Sequence, residues 1–489
     1  TSTMSNGVDL FTAGVPIRSG IAADNRSLGG DLLHKAHAEY RGQSRGLWVR
    51  FVRGGILQVP ARSLIENLEI FDRQQGLQYQ QVTIQGEQAL ALGQEARLQL
   101  RAGYDVQDVV KDPGGPDGQQ FTAAFREDEF STRALLSWTP SDSRSAAVGV
   151  EYSREWFGKD PWSLTADGAH NSRTELSPWA TNAVGLLSEY QWQIDPRWTA
   201  FLGGRLDRHS FTQWMVSPKA ALLFSPGAAH TSKLLYNRSV RKNDDIELKL
   251  QHDADPEFDG EIEQIDAIEL RHDYEATADL TLSAAGFWQD VDIIAWAGSR
   301  NRSSPVGSEQ IYGLETEATY RGRRHQVWLS YAFTRLRDFV LADVNLVNQT
   351  ETSAPYGYGN DLHHFPRHVG KMTWNAQVRP RLRLMTSLRL FWGFDGAEAY
   401  ARYNNEVLQQ LSLTLTDDGR TDAFEGSAFV NLGVAYDVTR RIQINAHAHN
   451  VLGWLQHDVN KRNFFGRMGG YRSQAPAISL QLSHRLTTP

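Results

Sequence analysis

The sequence predicts an all-β protein, a transmembrane antiparallel β-barrel that occupies residues 1–489. Three observations lead to this prediction. Apolar and polar residues alternate over stretches of about 10 to 14 residues, the connections between these stretches are alternately short and long, and the mean hydropathy is −0.46 although the chain has 14 Trp, 16 Tyr and 21 Phe. A barrel in a bilayer reconciles them, because its apolar residues occupy every second strand position while its interior and loops are polar.

The clearest predicted strand is residues 441–449, where Ile and Ala alternate with polar residues. The polar positions are Arg441, Gln443, Asn445, His447 and His449. A period of two residues indicates a β-strand, and this length suits a tilted membrane strand better than the strands of about 5 to 6 residues in a soluble sandwich. We therefore predict that the polar face lines the lumen and the apolar face meets lipid. The same alternation puts Glu315 and Glu317 on the lumen face.

The connections predict two different ends of the barrel. Short turns are expected at 42–46, 139–144, 195–197, 225–231, 274–279, 321–324, 379–383 and 437–441. Long segments are expected at 55–76, 107–127, 158–177, 242–260, 297–308, 338–364, 397–425 and 455–471, with a shorter link near 208–216. Membrane barrels have short periplasmic turns and long extracellular loops, so both termini are predicted to be periplasmic. About 20 strands can be counted, and a helix is expected only within 60–71.

Composition and motifs exclude several classes of protein. A net charge of −7 and the lack of a basic run argue against nucleic-acid binding. The absence of cysteine excludes disulfides and thiolate metal sites. The sequence shows no signal peptide and no apolar run of the roughly 20 residues that a membrane helix needs. It has no Gly-rich phosphate loop, His-Glu-x-x-His or Gly-x-Ser-x-Gly motif, so no enzyme and no intrinsic cofactor are predicted.

Several segments resemble TonB-dependent outer-membrane receptors. Residues 198–244, WTAFLGGRLDRHSFTQWMVSPKAALLFSP…TSKLLYNRSVRKND, resemble the middle of that family's barrel, in which an Arg-x-Asp-like strand end precedes Ser-Pro-Lys/Arg and Tyr-x-x-x-x-Arg strands. Residues 260–270, 282–296 and 450–454 are similar to the segments that follow. The family also has a 22-stranded barrel, an N-terminal plug and a TonB box. Neither plug nor box is found here, so the resemblance predicts the barrel portion alone, with 22 strands.

Two further positions depart from the family pattern. Lys242 and Asn243 follow Arg241 where the family often has Ala-Pro, and His484 and Leu486 stand where an outward aromatic residue usually ends the barrel.

The resemblance implies energy-dependent uptake of a scarce, bulky nutrient, such as a ferric siderophore or another metal chelate, across the bacterial outer membrane. The implied partners are outer-membrane lipid and lipopolysaccharide, the plug domain, TonB of the inner-membrane energising complex, and the barrel-assembly machinery. Two alternatives stay open: a passive diffusion pore, and a structural barrel within an envelope complex.

The predicted ligand-binding residues are aromatic, imidazole and guanidinium groups of the long loops and of one lumen-facing strand end, a combination that suits an anionic or metal-chelated planar molecule. They are Trp162, Arg241, Tyr356, Tyr358, His363, His364 and Tyr403. The alternative for these aromatic residues is a girdle at the membrane interface.

Two metal sites are considered. His363, His364 and His368 could bind a transition metal, with loop or rim residues as the alternative. Asp244, Asp245, Asp253 and Asp255 could bind Ca²⁺ in an extracellular loop, with a solvated acidic loop as the alternative.

Overall fold

The computed structural model describes residues 2–5, 31–58, 75–112, 123–159, 178–257, 259–297, 302–341, 366–393, 426–455 and 477–484. Residue contacts divide the chain into two compact units. The first comprises Thr1–Gln193, Phe201–Lys219 and Val240–Ile262, and the second comprises Ile194–Ala200, Ala220–Ser239 and Glu263–Pro489.

The first unit contains eight consecutive strands and one helix. They are β1 (Ser2–Ser5), β2 (Asp31–Arg41), β3 (Arg45–Gln58), β4 (Gln75–Leu92), β5 (Ala96–Asp112), β6 (Ala123–Ser141), β7 (Arg144–Lys159), β8 (Trp179–Gln193) and α1 (Asp245–Ala254). Each strand from β1 to β8 pairs antiparallel with the next. Three further strands, β9 (Trp198–His209), β10 (Met215–Gly227) and β11 (His230–Lys242), have residues in both units.

The second unit contains nine consecutive strands and a short helix. They are β12 (Ile262–Thr277), β13 (Leu280–Ala297), β14 (Arg302–Arg321), β15 (His325–Leu341), β16 (His368–Arg379), β17 (Leu382–Trp392), β18 (Gly426–Asp437), β19 (Ile442–His449), β20 (Ala477–His484) and α2 (Leu452–Leu455). Consecutive strands again pair antiparallel. The prediction of an antiparallel all-β protein is confirmed.

The alternation of short and long connections is also confirmed, and the structure adds one short turn that was not predicted. Residues 93–95 join β4 to β5 as a tight hairpin, and Gly93 has a φ of 76°. Glycine adopts this left-handed backbone without the penalty of a side chain, so the Gly in "LALGQEARL" was the available signal. Because segments outside the described residues interrupt the strand count, the predicted number of 22 stays a prediction.

The two faces of the second unit differ in chemistry. On one face Leu314 of β14 lies opposite Phe333 of β15, and Leu388 of β17 lies opposite Val430 of β18. Leu314 is 46% exposed and Leu329 of the same face 44%, although both belong to paired strands inside the sheet. An open apolar face of this extent is unsuited to water and suits contact with lipid.

Two tyrosines mark the height of the apolar face on β14. Tyr320 stands near the short-turn end, and Tyr312 stands eight residues away toward the other end. At about 3.3 Å per residue, the two lie about 26 Å apart along the strand. The apolar band of outer-membrane barrels is about 25 Å tall and is flanked by aromatic residues at both interfaces. Because strands of such barrels tilt by about 35–45°, the distance along β14 corresponds to about 20 Å of height, so the two tyrosines fit within that band.

Among the described residues, neither helix is long and apolar enough to cross a membrane. One expectation about helices was wrong. The acidic segment after β11 was expected to be loop, and α1 forms there, while the helix expected within 60–71 lies outside the described residues.

Candidate functional site

The face of the second unit opposite the apolar one is polar. The register of the paired strands shows which residues share this face. Glu317 of β14 pairs with Ser330 of β15, and Ser330 pairs with Lys371 of β16. Lys371 in turn pairs with Arg389 of β17. Glu315, two residues along β14, shares the face. Gln443, Asn445, His447 and His449 of β19 share it as well.

Asp273 on the polar face of β12 is paired with two cations. Asp273 accepts a 2.9 Å hydrogen bond from Nζ of Lys233, a 2.8 Å bond from Nε of Arg271 and a 2.7 Å bond from Oγ of Ser283. An ionised carboxylate with three donors is stabilised as a wall group and is poorly placed to exchange protons. This arrangement suits the hydrophilic lumen wall that the alternation of polar residues predicts.

A cavity of about 510 Å³ opens on the polar face at the short-turn end of β14–β19. We call it the short-turn cavity. Its lining includes Arg323, Arg324 and Arg383, together with Gln443, Asn445 and His447. Three of these, Gln443, Asn445 and His447, were predicted as lumen wall. The arginines were not predicted, because two of them lie in a turn and the third belongs to a strand that carried no motif.

The two histidines of β19 stack on each other, with ring centroids 6.3 Å apart and an interplanar angle of 22°. In the described part of the chain, no group of three His, Cys, Asp or Glu residues is arranged to hold a metal ion. The role of His447 and His449 as wall residues rather than ligands therefore stays a prediction.

α1 is built from the acidic segment for local reasons. The side chain of Asp244 caps its N-terminus by accepting a 2.9 Å hydrogen bond from the backbone N–H of Ile246. Asp245 and Glu247 occupy the first turn, where the helix dipole favours negative charge. Asp255 ends the helix in an extended conformation directly before Pro256, as expected of a residue that precedes proline.

One face of α1 is anchored in the first unit. Leu248 is 1% exposed and Gln251 is 4% exposed. Leu248 lies against Gly260, whose N–H donates a 2.6 Å bond to the carbonyl of Phe211. The Phe211 ring contacts His252 of the helix with centroids 4.7 Å apart. A helix of ten residues is marginal alone in water, so these contacts hold it in place.

A buried polar contact fixes the start of α1. Nε2 of His209, a residue 2% exposed, lies 3.1 Å from Oδ1 of Asp245, and Nζ of Lys242 donates a 2.5 Å bond to Oδ2 of the same carboxylate. The backbone N–H of Phe211 donates to Nδ1 of His209, so Nε2 is the ring nitrogen that faces Asp245. Burial opposes ionisation of Asp245, but His209 and Lys242 outweigh it and lower the pKa of that carboxyl.

The family of this chain follows from its similarity to known proteins. Residues 23–451 match the family model described as TonB dependent receptor-like, beta-barrel. The chain belongs to this family of outer-membrane receptor barrels. In such barrels the polar face lines the interior, the short turns are periplasmic and the long loops are extracellular. The family also implies a plug domain and interaction with TonB.

Solved structures of transporters and receptors have a similar fold. The FrpB iron transporter from Neisseria meningitidis has a TM-score of 0.65 at 12% identity, covering 93% of this chain and 71% of that chain. The siderophore receptor PirA from Acinetobacter baumannii has a TM-score of 0.63 at 11% identity, with 93% and 70% covered. The copper transporter OprC has a TM-score of 0.61 at 12% identity, with 93% and 72% covered. No curated protein matches the chain.

Of the three histidines predicted as a possible metal site of this receptor barrel, His368 lies within the described residues. It begins β16 on the apolar face, opposite Phe333 and Trp392. The hydroxyl of Tyr331 lies 2.8 Å from its Nδ1, and the Trp392 ring stacks on it at 5.1 Å. An aromatic cluster on the lipid-facing side is typical of the membrane interface. These contacts support the rim alternative for His368, and because His363 and His364 lie outside the described residues, the metal site stays a prediction.

The acidic residues proposed for Ca²⁺ are engaged in other contacts. Asp244 caps α1, Asp245 contacts His209 and Lys242, and Asp253 pairs with Lys249. Asp255 accepts a 3.2 Å bond from the N–H of Glu257. Ca²⁺ binding stays a prediction that these contacts do not favour, because each carboxylate serves the helix.

The remaining predicted site residues divide into two sets. Arg241 lies near the end of β11 and is exposed, and Arg441 directly precedes β19. The others lie outside the described residues, so their roles stay predictions: Trp162, Tyr356, Tyr358, His363, His364 and Tyr403.

Proposed function

We propose that this receptor barrel takes up a metal chelate across the outer membrane with energy delivered through TonB, and that a ferric siderophore is the ligand class. The observation that carries the proposal is the polar face of the second unit, in a chain matched over residues 23–451 by a TonB-dependent receptor model. The name of one structural neighbour, a ferric enterobactin receptor from Pseudomonas aeruginosa, supports a ferric siderophore, and that of a copper transporter supports metal uptake more generally. The proposal assigns no enzymatic reaction to the chain.

Ligand capture is assigned to the long loops. Segments 158–177, 242–260, 338–364 and 397–425 are long enough to form a vestibule, and α1 gives one of them fixed structure. The net charge of −7 disfavours a simple polyanion, since a negative vestibule would repel it. Aromatic rings with imidazole and guanidinium groups favour a partly planar metal chelate.

The binding test uses ferric enterobactin as the probe and tryptophan fluorescence as the readout. Combined replacement of Tyr356, Tyr358, His363 and His364 by Ala is expected to weaken binding at least about tenfold, the loss of one or two aromatic or charged contacts. The matched control replaces Tyr320 and Tyr436 by Ala, because these tyrosines are exposed at the short-turn ends, far along the strands from the loops. Equal affinity in the two variants would refute the site assignment.

Uptake in cells separates the receptor from a passive pore. Accumulation of ⁵⁵Fe supplied as ferric enterobactin should require this receptor and should stop when TonB is deleted. A diffusion pore would admit the probe at the same rate with and without TonB. That result would overturn energy-dependent transport even if binding in the loops were correct.

A further inference from the structure

The short-turn cavity owes its shape to two small residues of β18. Ala435 lies between Arg383 of β17 and Asn445 of β19, and Gly433 lies between Met385 and His447 in the next row. Longer side chains thus flank two successive positions at which β18 presents almost no side chain to the polar face. A Cβ atom on Gly433 would lie 2.8 Å from Nδ1 of His447, so the imidazole occupies the space that the glycine leaves.

The cavity extends across the sheet rather than along one strand. Gln326 of β15 is opposite Asn375, and the same row continues through Met385 and Gly433 to His447 of β19. Four steps between strands at about 4.8 Å make the row roughly 19 Å wide. Together with a volume of about 510 Å³, this width exceeds what one side chain needs and suits an extended group or a short peptide segment.

The charge of the cavity is positive in an acidic protein. Among the described residues that line it, three are arginines, Arg323, Arg324 and Arg383, and none is Asp or Glu. One acid, Asp437, lies beside the cavity, 3.9 Å from Nη2 of Arg383, and accepts a 2.7 Å bond from Gln443. Even with Asp437 included, the cavity keeps an excess of two positive charges, whereas the whole chain carries −7.

We propose that the short-turn cavity binds an oxyanion, namely a carboxylate or phosphate group. Guanidinium groups bind two oxygens of such a group at once, and the surrounding amides of Gln326, Asn375 and Asn445 add neutral donors. A cavity on the inward, periplasmic end of a receptor barrel is reached by two sources of this chemistry. One is an acidic side chain of a polypeptide lying on the polar face, and the other is a free small anion. The proposal does not depend on which ligand the receptor transports.

The first experiment measures protection of arginines in the detergent-solubilised protein. Phenylglyoxal modifies accessible guanidinium groups, and peptide mass spectrometry reports the extent at Arg383 and at Arg389. These two residues lie on β17 and on the same face, but only Arg383 lines the cavity. Inorganic phosphate and a tetraglutamate peptide are the two probes, compared with sodium chloride at equal ionic strength. The proposal predicts at least about threefold slower modification of Arg383 with a probe, and no change at Arg389.

The pattern of protection identifies the source of the anion. Protection by the peptide alone assigns a polypeptide carboxylate, protection by phosphate alone assigns a free anion, and protection by both supports a site that accepts either. No protection at Arg383 beyond that in sodium chloride, or equal protection at Arg389, would overturn the proposal.

The second experiment compares Arg383→Gln with Arg389→Gln by calorimetric titration of the protecting probe. Arg383→Gln should weaken binding at least about fivefold, less than a fully buried charged hydrogen bond would because the side chain is 46% exposed. Arg389→Gln should change affinity less than about twofold. Retained affinity in Arg383→Gln would refute the assignment, and the protection assay on the unsubstituted protein stands if this variant fails to fold.

Discussion

The anchoring of α1 gives the most direct test of the structure. Leu248 is 1% exposed, so Leu248→Ala removes a buried side chain whose loss typically costs about 2 to 5 kcal/mol. Because α1 is too short to persist alone, most of that cost should appear as local opening of the helix rather than as unfolding of the sheet. A loss of about 2 to 4 kcal/mol corresponds to a fall of about 30- to 1,000-fold in the protection of the helix amides from hydrogen exchange.

Ile246→Ala is the matched control. It lies in the same helix and loses a similar apolar side chain, but it is 40% exposed. Its amide protection should fall less than about fivefold, because the side chain leaves no cavity. Hydrogen exchange with mass spectrometry of peptides that cover Asp245–Ala254 measures both variants, and peptides from β17 serve as an internal reference. Equal losses of protection in the two variants would show that α1 is not held by the burial of Leu248.

Three further predictions test the same structure. Because the pKa of Asp245 is lowered, its ionised form stabilises the docked helix. The amide protection of α1 should therefore be constant at neutral pH and fall as the pH drops below the ordinary carboxyl pKa of 3.8. The Asp245→Asn variant should lack this pH dependence. Gly260→Ala should undock α1, because its Cβ would overlap Leu248 and lie 2.8 Å from the Phe211 carbonyl, whereas Gly227→Ala, with open space around it, should leave hydrogen exchange unchanged. Leu329→Arg on the lipid-facing side should lower the free energy of unfolding by about 2 to 4 kcal/mol and reduce the folded, heat-modifiable fraction in membranes. Ser330→Arg on the polar face should be tolerated. Equal folded fractions of the two variants would contradict the assignment of the faces.

The strands were predictable because one physical rule repeats along them. A sheet with lipid on one side and water or protein on the other requires alternation at every position, so each stretch can be recognised without knowing its partners. Short turns were predictable for a related reason, since polar and Gly or Pro residues interrupt the alternation. The hairpin at 93–95 escaped because only Gly93 and two polar residues mark it, and the flanking "LALG" sequence continues an apolar pattern.

α1 was missed because its residues support two structures equally well in isolation. A segment rich in Asp and Glu is typical of a solvated loop, yet the same acids at the first turn and N-cap favour a helix. What decides is tertiary contact: His209, thirty-six residues before Asp245, and the aromatic ring of Phe211 lie near one another only after the strands pair. The sequence carries the caps but gives no sign of the surface on which Leu248 is buried.

The short-turn cavity shows the same limit in another form. Alternation predicts that Gln443, Asn445 and His447 share a face, but a cavity depends on which residues stand beside them on other strands. A shift of β18 by two residues relative to β19 would keep every side chain on its face. In one direction it would put Asn431 in the place of Gly433, and in the other it would put Asp437 in the place of Ala435, so a larger side chain would fill part of the cavity. The sequence of each strand therefore determines which of its side chains share a face, whereas the cavity depends on the register between neighbouring strands. A motif search does not detect such a cavity, because its small residues and its arginines come from separate segments, none of which carries a motif by itself.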